Sequence, residues 1–297
     1  MRTKDQDLDC FKKNIHSQFG EDGLIYEVLS RLKRKNKADG WCVEFGAWDG
    51  IYLSNTYNLI QNHSYKAVLI EADRDKYKDL CRNIPSKNVY KICKFVNFSG
   101  KNSLDNILKN TPITRNFDFL SIDIDGCDYY IFESLTYYKP KLVCIEYNPT
   151  IPNDVDYVQE KNMTVKQGSS AKSLVDLAKK KGYTLISLTH CNLFFIRNDF
   201  YRSLIKKKKQ PLLKMRDDSK LKIYLFSGYD GKILSNKKYI NLNWHSIKVS
   251  INSIQALPKI MRSYPRDYNR YQKFIYLIYR VFKDPHLMLN KIKKYFN

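Results

Sequence analysis

The sequence predicts an α/β protein: a doubly wound, mostly parallel, seven-stranded sheet with helices on both faces and a last antiparallel hairpin, followed by a basic C-terminal extension. Three observations predict it. Short, nearly continuous apolar runs alternate with helix-periodic stretches between residues 41 and 145. The first of these runs opens directly into a glycine loop, Gly46 to Gly50. Beyond residue 200 the composition changes abruptly. Continuous apolar strands are buried on both faces, and a strand–helix alternation of buried strands is the pattern of an open parallel sheet.

From Ser17 to Lys33 apolar residues recur at helical spacing (Leu24, Ile25, Val28, Leu29, Leu32), with Glu21 and Asp22 in the first turn, where the helix dipole favours them. Trp41 to Phe45 reads as the first strand. Ala67 to Ile70, Val89 to Val96, Phe117 to Ile122 and Leu142 to Ile145 supply four more, with helix-like stretches between them at Tyr52 to Gln61, Lys76 to Asn83, Ser103 to Leu108 and Tyr129 to Leu135. Ser170 to Lys181 is a helix stopped by Gly182. Tyr183 to Leu188 and Leu193 to Arg197 are two strands joined by four residues, a hairpin-length connection. The extension then holds a short strand at Leu221 to Phe226, a turn at Gly228 to Gly231, a further run at Lys232 to Leu242, and a long helical tail. Its stripe of Tyr271, Phe274, Ile275, Ile278, Val281 and Phe282 is flanked by Arg270, Lys273, Arg280 and Lys283. That stripe suits either packing on the main domain or insertion at an anionic membrane surface.

The chain has 297 residues, 52 Lys and Arg against 30 Asp and Glu, and a net charge of +22. Residues 1–200 carry 29 basic against 25 acidic side chains, and residues 201–297 carry 23 against 5. The expected division is therefore 1–200 and 201–297, the second part contacting an acceptor, a membrane surface or a partner through something anionic. The run Lys206 to Lys209 taken alone reads as a solvated linker. No apolar run approaches the ~18 residues a membrane span needs. Seven cysteines, scattered and never spaced as CxxC, read as reduced thiols rather than a disulfide framework or a zinc site. The expected location is the cytoplasm, with peripheral contact at the inner membrane face open to the tail.

A strand ending in Glu44 and followed by Gly46 and Gly50 brings backbone amides and a helix N-terminus to a ligand at the carboxyl edge of the sheet, where a Cβ would block close approach. The next strand ends in Glu71, at the separation where a carboxylate accepts hydrogen bonds from ribose hydroxyls. GxxxG differs from the GxGxxG that accommodates a pyrophosphate, and Glu44 and Asp49 would repel one. A zwitterionic, phosphate-free ligand such as S-adenosylmethionine (SAM) fits better.

With these residues in place, the stretch from Ser17 to Arg197, roughly 180 residues, resembles the FkbM family of class I SAM-dependent methyltransferases. The resemblance rests on VEFGAWDG (Val43 to Gly50), LIEAD (Leu69 to Asp73), SLDNIL (Ser103 to Leu108), FLSIDIDG (Phe119 to Gly126), the closing Glu146 of the fifth strand, and SQFGED (Ser17 to Asp22). It implies a Rossmann-like methyltransferase sheet and SAM contacts at Gly46, Gly50, Glu71 and Asp123, with Gln18 and Asn97 as further candidates. This chain departs from the usual D-x-E-G turn by having Asp125 before Gly126.

Methyl transfer from a sulfonium is an in-line displacement, so the protein holds nucleophile and methyl aligned and removes a proton when an alcohol attacks. If the chain turns at Gly126, Asp123 and Asp125 address different groups: Asp123 the cofactor's ammonium, Asp125 the acceptor. Asp128 reads as the N-cap of the helix that follows. His190, in the last hairpin loop, is an alternative base. Asp123, Asp125 and Glu146 are alternatively oxygen ligands of a divalent cation, although carboxylates near a sheet edge are common without one. The family resemblance points to a hydroxyl of a sugar or glycan-type acceptor, which could bear phosphate. RNA methylation, with the tail gripping phosphates, and a non-catalytic scaffold are the competing readings.

Overall fold

The computed structural model of the protein describes residues 7–205 and 210–283. The run Lys206 to Lys209 lies outside the described residues, as does the end of the tail beyond Lys283. The chain divides into two compact units, Met1–Leu221 and Lys222–Asn297. The division falls later than the change in composition at residue 200. Leu212 joins the main hydrophobic core, and Asn153 takes a 2.7 Å bond from its amide to Asp218 and donates its carboxamide to the Arg216 carbonyl. These ties hold the stretch up to 221 in the first unit.

In the first unit α1 (Glu21–Lys33) precedes β1 (Trp41–Phe45), α2 (Tyr57–His63), β2 (Lys66–Glu71), α3 (Arg74–Asn83), β3 (Val89–Cys93), α4 (Leu104–Leu108) and β4 (Phe119–Ile122). Then come α5 (Asp128–Ser134), β5 (Leu142–Glu146), α6 (Ala171–Lys180), β6 (Tyr183–Leu188), β7 (Asn192–Arg197), α7 (Asn198–Leu204) and α8 (Leu212–Met215). The seven strands form one Rossmann-like sheet in the order β3-β2-β1-β4-β5-β7-β6. Pairing is parallel except around β7, which runs against both β5 and β6. The fold class is therefore the expected one.

Each sheet face carries its own core. Val43, Phe45, Leu120, Ile122, Val143 and Ile145 bury against α4, α5 and α6 on one side. Cys42, Phe119, Leu142, Cys144, Phe194 and Ile196 bury against α1 and its neighbours on the other. This double burial is why the central strands read as unbroken apolar runs.

At the opposite edge from the strand ends, Asp118 is fully buried. Its carboxylate accepts Lys141 Nζ at 2.7 Å, the amides of Asp39 and Gly40 at 3.0 and 2.9 Å, and Tyr65 Oη at 3.1 Å. Asp39 beside it is pushed up to about 6 by burial and by the Asp118 charge.

The second unit holds β8 (Leu225–Ser227) paired with β9 (Ile233–Ser235), β10 (Tyr239–Leu242) paired with β11 (Ile247–Ser250), and α9 (Arg270–Lys283). The expected run Lys232 to Leu242 is thus two strands, one in each hairpin, and the first strand starts at Leu225 rather than Leu221. Among the described residues no helix is long and apolar enough to cross a membrane.

Candidate functional site

Strands β1 and β4 are neighbours, yet the chain leaves β1 toward β2 and β3 and leaves β4 toward β5. The carboxyl ends of β1 and β4 therefore flank the point where the winding reverses, the place where open α/β sheets bind ligands. Gly46 and Asp123 stand there, one residue past the paired Phe45 and Ile122. Gly46 is exposed, with φ +72°, and a Cβ on it would lie 2.2 Å from the Asp123 carbonyl oxygen. Glycine is required here twice over, by backbone sign and by the approach of the neighbouring strand.

The loop after β1 is fastened to β2. Ala47 donates its amide to the Ile70 carbonyl at 3.2 Å, and Trp48, at φ +50°, donates to Glu71 Oε2 at 2.7 Å. Asp73 donates its amide to the other oxygen, Oε1, at 2.8 Å. The carboxylate of Glu71, predicted to meet a ribose, is thus held rigidly at the loop with each oxygen engaged once. Asp49 accepts the amides of Ile51 and Tyr52 at 2.9 and 2.8 Å and shapes the turn that follows. Lys76 lies over the exposed Trp48 ring at 4.4 Å.

Two expectations about this loop need correction. Gly50 does not clear a path for a ligand: it is buried at φ +80°, and a Cβ would meet Leu80 Cδ1 at 2.5 Å and Ile84 Cδ1 at 2.6 Å, so its role is to let the loop pack on α3. Nor does a helix start at the glycine loop. The expected helix Tyr52 to Gln61 begins only at Tyr57, because Glu44 draws in the preceding residues. Its buried carboxylate accepts Ser54 Oγ and Thr56 Oγ1 at 2.6 Å each and the Asn55 amide at 2.8 Å. Burial pushes Glu44 up from the usual carboxylate range, against the pull of these donors. Glu44, expected among the cofactor contacts, is engaged inside the protein.

The fourth-strand turn is built from Asp128. Its carboxylate accepts the amides of Ile124 at 3.0 Å and Gly126 at 2.9 Å. It is the first residue of α5, with Cys127 at the cap position, so it clamps the preceding turn instead of capping the helix. Asp125 sits between these amides at φ +56°. Over the turn lies the segment after β5: Gln159, almost fully buried, donates to Val165 O and accepts the amides of Gln167 and Gly168, while Lys166 Nζ reaches the Ile124 carbonyl at 2.8 Å. A Cβ on Gly126 would lie 2.8 Å from the Val165 carbonyl oxygen, so the strap requires that glycine.

The turn brings together the carboxylates that the cation alternative required to converge, rather than parting Asp123 from Asp125. Oxygens of Asp123, Asp125 and Glu146 all lie within 4.8 Å of one another. Carboxylates this close cannot all stay ionised without a proton or a cation among them. Burial first, and then the neighbouring carboxylates, push Asp123 up to about 8 and Glu146 up to about 10. Such a cluster takes up a proton or a positive ligand, and its oxygens are of the hard type that holds a divalent cation.

Sequence reasoning placed Gln18, Asn97 and His190 near this edge. Gln18 is exposed, its carbonyl accepting from Asn14 Nδ2. Asn97 follows β3, its side chain accepting the Phe98 amide at 2.7 Å. His190 is exposed and packs its ring against Phe19 at 4.9 Å, with none of its described contacts reaching Asp123 or Asp125. Missed altogether was the framework beneath them. Glu21, fully buried, accepts Thr189 Oγ1 and the Phe19 amide at 2.6 Å each, tying the start of α1 to the β6–β7 loop. Asp22 Oδ2 accepts the amides of Ile15, His16 and Ser17, and Ser17 Oγ accepts the Asp22 amide at 3.0 Å. The Ser17–Asp22 motif was the only sequence signal for this; its acidic pair was read as dipole chemistry and the motif as part of the family resemblance.

Solved structures with a similar arrangement include M. capricolum TrmK in complex with S-adenosyl-homocysteine, at 16% identity over 57% of this chain and 68% of that one, with a TM-score of 0.36. A SAM-dependent methyltransferase from Clostridium acetobutylicum matches at 8% identity over 61% and 92%, TM-score 0.37. The LepI complex with SAM matches at 11% identity over 64% and 50%, TM-score 0.39. No family model matches the chain, and no curated protein does.

Proposed function

We propose that the protein is a SAM-dependent methyltransferase of the FkbM type that methylates a hydroxyl of a sugar or glycan-linked acceptor. The observation that carries the proposal is the convergence of Asp123, Asp125 and Glu146 beside Gly46 at the winding reversal. A ligand entering there meets an open glycine backbone and an acid-rich wall. That donor set fits a cofactor with a sulfonium and an ammonium and repels a pyrophosphate.

The residues divide the work. Gly46 lets the ligand lie against the backbone. Glu71 offers ribose hydroxyls the lone pairs that the Trp48 and Asp73 amides leave open, since each carboxylate oxygen accepts about two hydrogen bonds. Asn97, in the segment after the neighbouring strand β3, is the polar side chain for the base. Asp123 faces the ammonium, and a positive charge there returns its carboxyl toward ionisation. When bound, the cofactor supplies an electrophilic methyl group. Asp125, the exposed member of the cluster, orients the acceptor hydroxyl and takes its proton at Oδ. The strap from Gln159 to Gly168 covers this turn and helps exclude water.

The test is a thermal melt of the full chain with S-adenosylhomocysteine. Ligand at 100 times its Kd should add ~2.7 kcal/mol of stability, and Asp125→Asn should keep that shift while losing turnover on sugar acceptors. Absence of any shift in the unmutated protein overturns the proposal and leaves a non-catalytic scaffold.

A further inference from the structure

Helix α9 presents its two sides in an order opposite to that of a helix packed on a core. The side facing its own unit carries Gln272, Ile275, Tyr276 and Tyr279, all half-buried, and is fixed by specific bonds. Gln272 Nε2 donates to the Ile260 carbonyl at 2.9 Å, Tyr276 packs edge-on against Tyr268 at 5.6 Å, and Tyr279 Oη donates to the Ala256 carbonyl. These three recur at helical spacing. Of the expected apolar stripe, Ile275 is half-buried, whereas Tyr271, Phe274, Ile278, Val281 and Phe282 fall on the other side and are exposed, Phe274 at 63% and Phe282 at 83%. No residue of α9 is buried. The helix is thus anchored by its hydroxyl- and amide-bearing side, and its greasiest surface faces outward.

Charge says what covers it. Residues 222–283 carry 12 Lys and Arg against 2 Asp and Glu, and Arg270, Lys273, Arg280 and Lys283 are on the helix itself. A large exposed apolar stripe is costly in water. Its surroundings would repel a basic partner and attract an anionic one. Tyr271, Phe274 and Phe282 can stack on bases, but Ile278 and Val281 have no π-face and no polar atom for a phosphate, so nucleic acid leaves that part of the stripe uncovered. A bilayer surface with anionic headgroups uses both parts: acyl chains take the stripe and headgroup charges take the lysines and arginines.

We infer that α9 is a peripheral membrane anchor, lying in the plane of an anionic lipid surface with Tyr271, Phe274, Ile278, Val281 and Phe282 inserted. This goes beyond the proposed methyl transfer and does not depend on it.

The experiment is co-sedimentation of the full chain with vesicles of phosphatidylcholine alone or with 30% phosphatidylglycerol. Expected are binding to the anionic vesicles at least tenfold tighter than to the neutral ones, and a loss of at least tenfold in the double variant Phe274→Ser/Phe282→Ser. Both positions are exposed, and an unchanged circular dichroism spectrum confirms that the fold is retained. Lys273→Glu/Arg280→Glu should weaken binding and reduce its salt dependence. Equal binding of wild type and the serine variant to anionic vesicles overturns the inference. So does binding to RNA but to neither vesicle, which reassigns the unit to a nucleic-acid partner.

Discussion

Trp48 donates its backbone amide to Glu71 Oε2 at 2.7 Å from a left-handed conformation of φ +50°, locking the loop after β1 to the end of β2. The bond makes Glu71 a positioning residue for the loop as well as a ligand acceptor. The two roles separate by substitution. Glu71→Gln keeps one oxygen and should lower stability by about 1 kcal/mol, whereas Glu71→Ala strands two amides and should lower it by about 2–3 kcal/mol. Both should lose S-adenosylhomocysteine affinity, measured by calorimetry. Wild-type affinity in Glu71→Ala would remove the ribose assignment.

Gly46 and Gly40 form a matched pair. Both have positive φ, +72° and +77°, but a Cβ meets Asp123 O at 2.2 Å in the first and nothing within 4 Å in the second. Gly40→Ala should cost only the backbone strain, about 1–2 kcal/mol. Gly46→Ala should cost clearly more and abolish cofactor binding. Urea melts of the two variants side by side make the comparison, and equal losses would show that the β1–β4 contact is soft.

The carboxylate cluster sets a pH dependence of stability. Asp123 and Glu146 are raised in the folded state to about 8 and about 10, so between the unfolded values and these pH values the folded state binds more protons than the unfolded one. Stability contributed this way is greatest in acid and falls as pH rises through 8 toward 10. The melting temperature of the ligand-free protein should therefore decline from pH 6 to pH 9, and Glu146→Gln should flatten the decline. Magnesium or manganese at pH 8 should raise the melting temperature of the wild type and not of Glu146→Gln if the cluster takes a cation. Activity that resists chelation removes that alternative.

Asp118 and Lys141 make a buried ion pair at 2.7 Å, with Lys141 only 8% exposed. Asp118→Ala strands the ammonium along with Tyr65 Oη and two amides, and should cost about 3–5 kcal/mol. Adding Lys141→Met should recover part of that loss, readable in the same urea melts.

How much of this was legible in the sequence follows from range. The sheet could be read because β1, β4 and β5 are buried on both faces and so run nearly continuously apolar, with single polar residues such as Glu44 and Ser121 among them. The late start of α2 could not, since it depends on Glu44 capturing Ser54, Asn55 and Thr56, a set of bonds formed only after the strand and loop are in place. Gly50 looked like a ligand-side glycine because its neighbour across the gap, Leu80, is remote in sequence. Asp125 looked divergent from Asp123 because a turn at Gly126 was expected to part them, whereas the turn that the Asp128 carboxylate clamps keeps their oxygens together. The stretch from Asn148 to Ser169 has neither period. Its function as a strap rests on Gln159, one buried amide in a polar segment, for which the sequence offers no local sign.

The position of β7 between β5 and β6 has a consequence for how the chain is made. While the ribosome has delivered only residues up to β6, strand β5 has no neighbour on its outer side, and Leu142 to Ile145 present a bare apolar edge. Only when Asn192 to Arg197 emerge and slot in reversed is that seam closed on both sides. A nascent polypeptide stalled before residue 192 should therefore stick to its neighbours and recruit chaperones, and one stalled beyond the exit tunnel's reach of Arg197 should not.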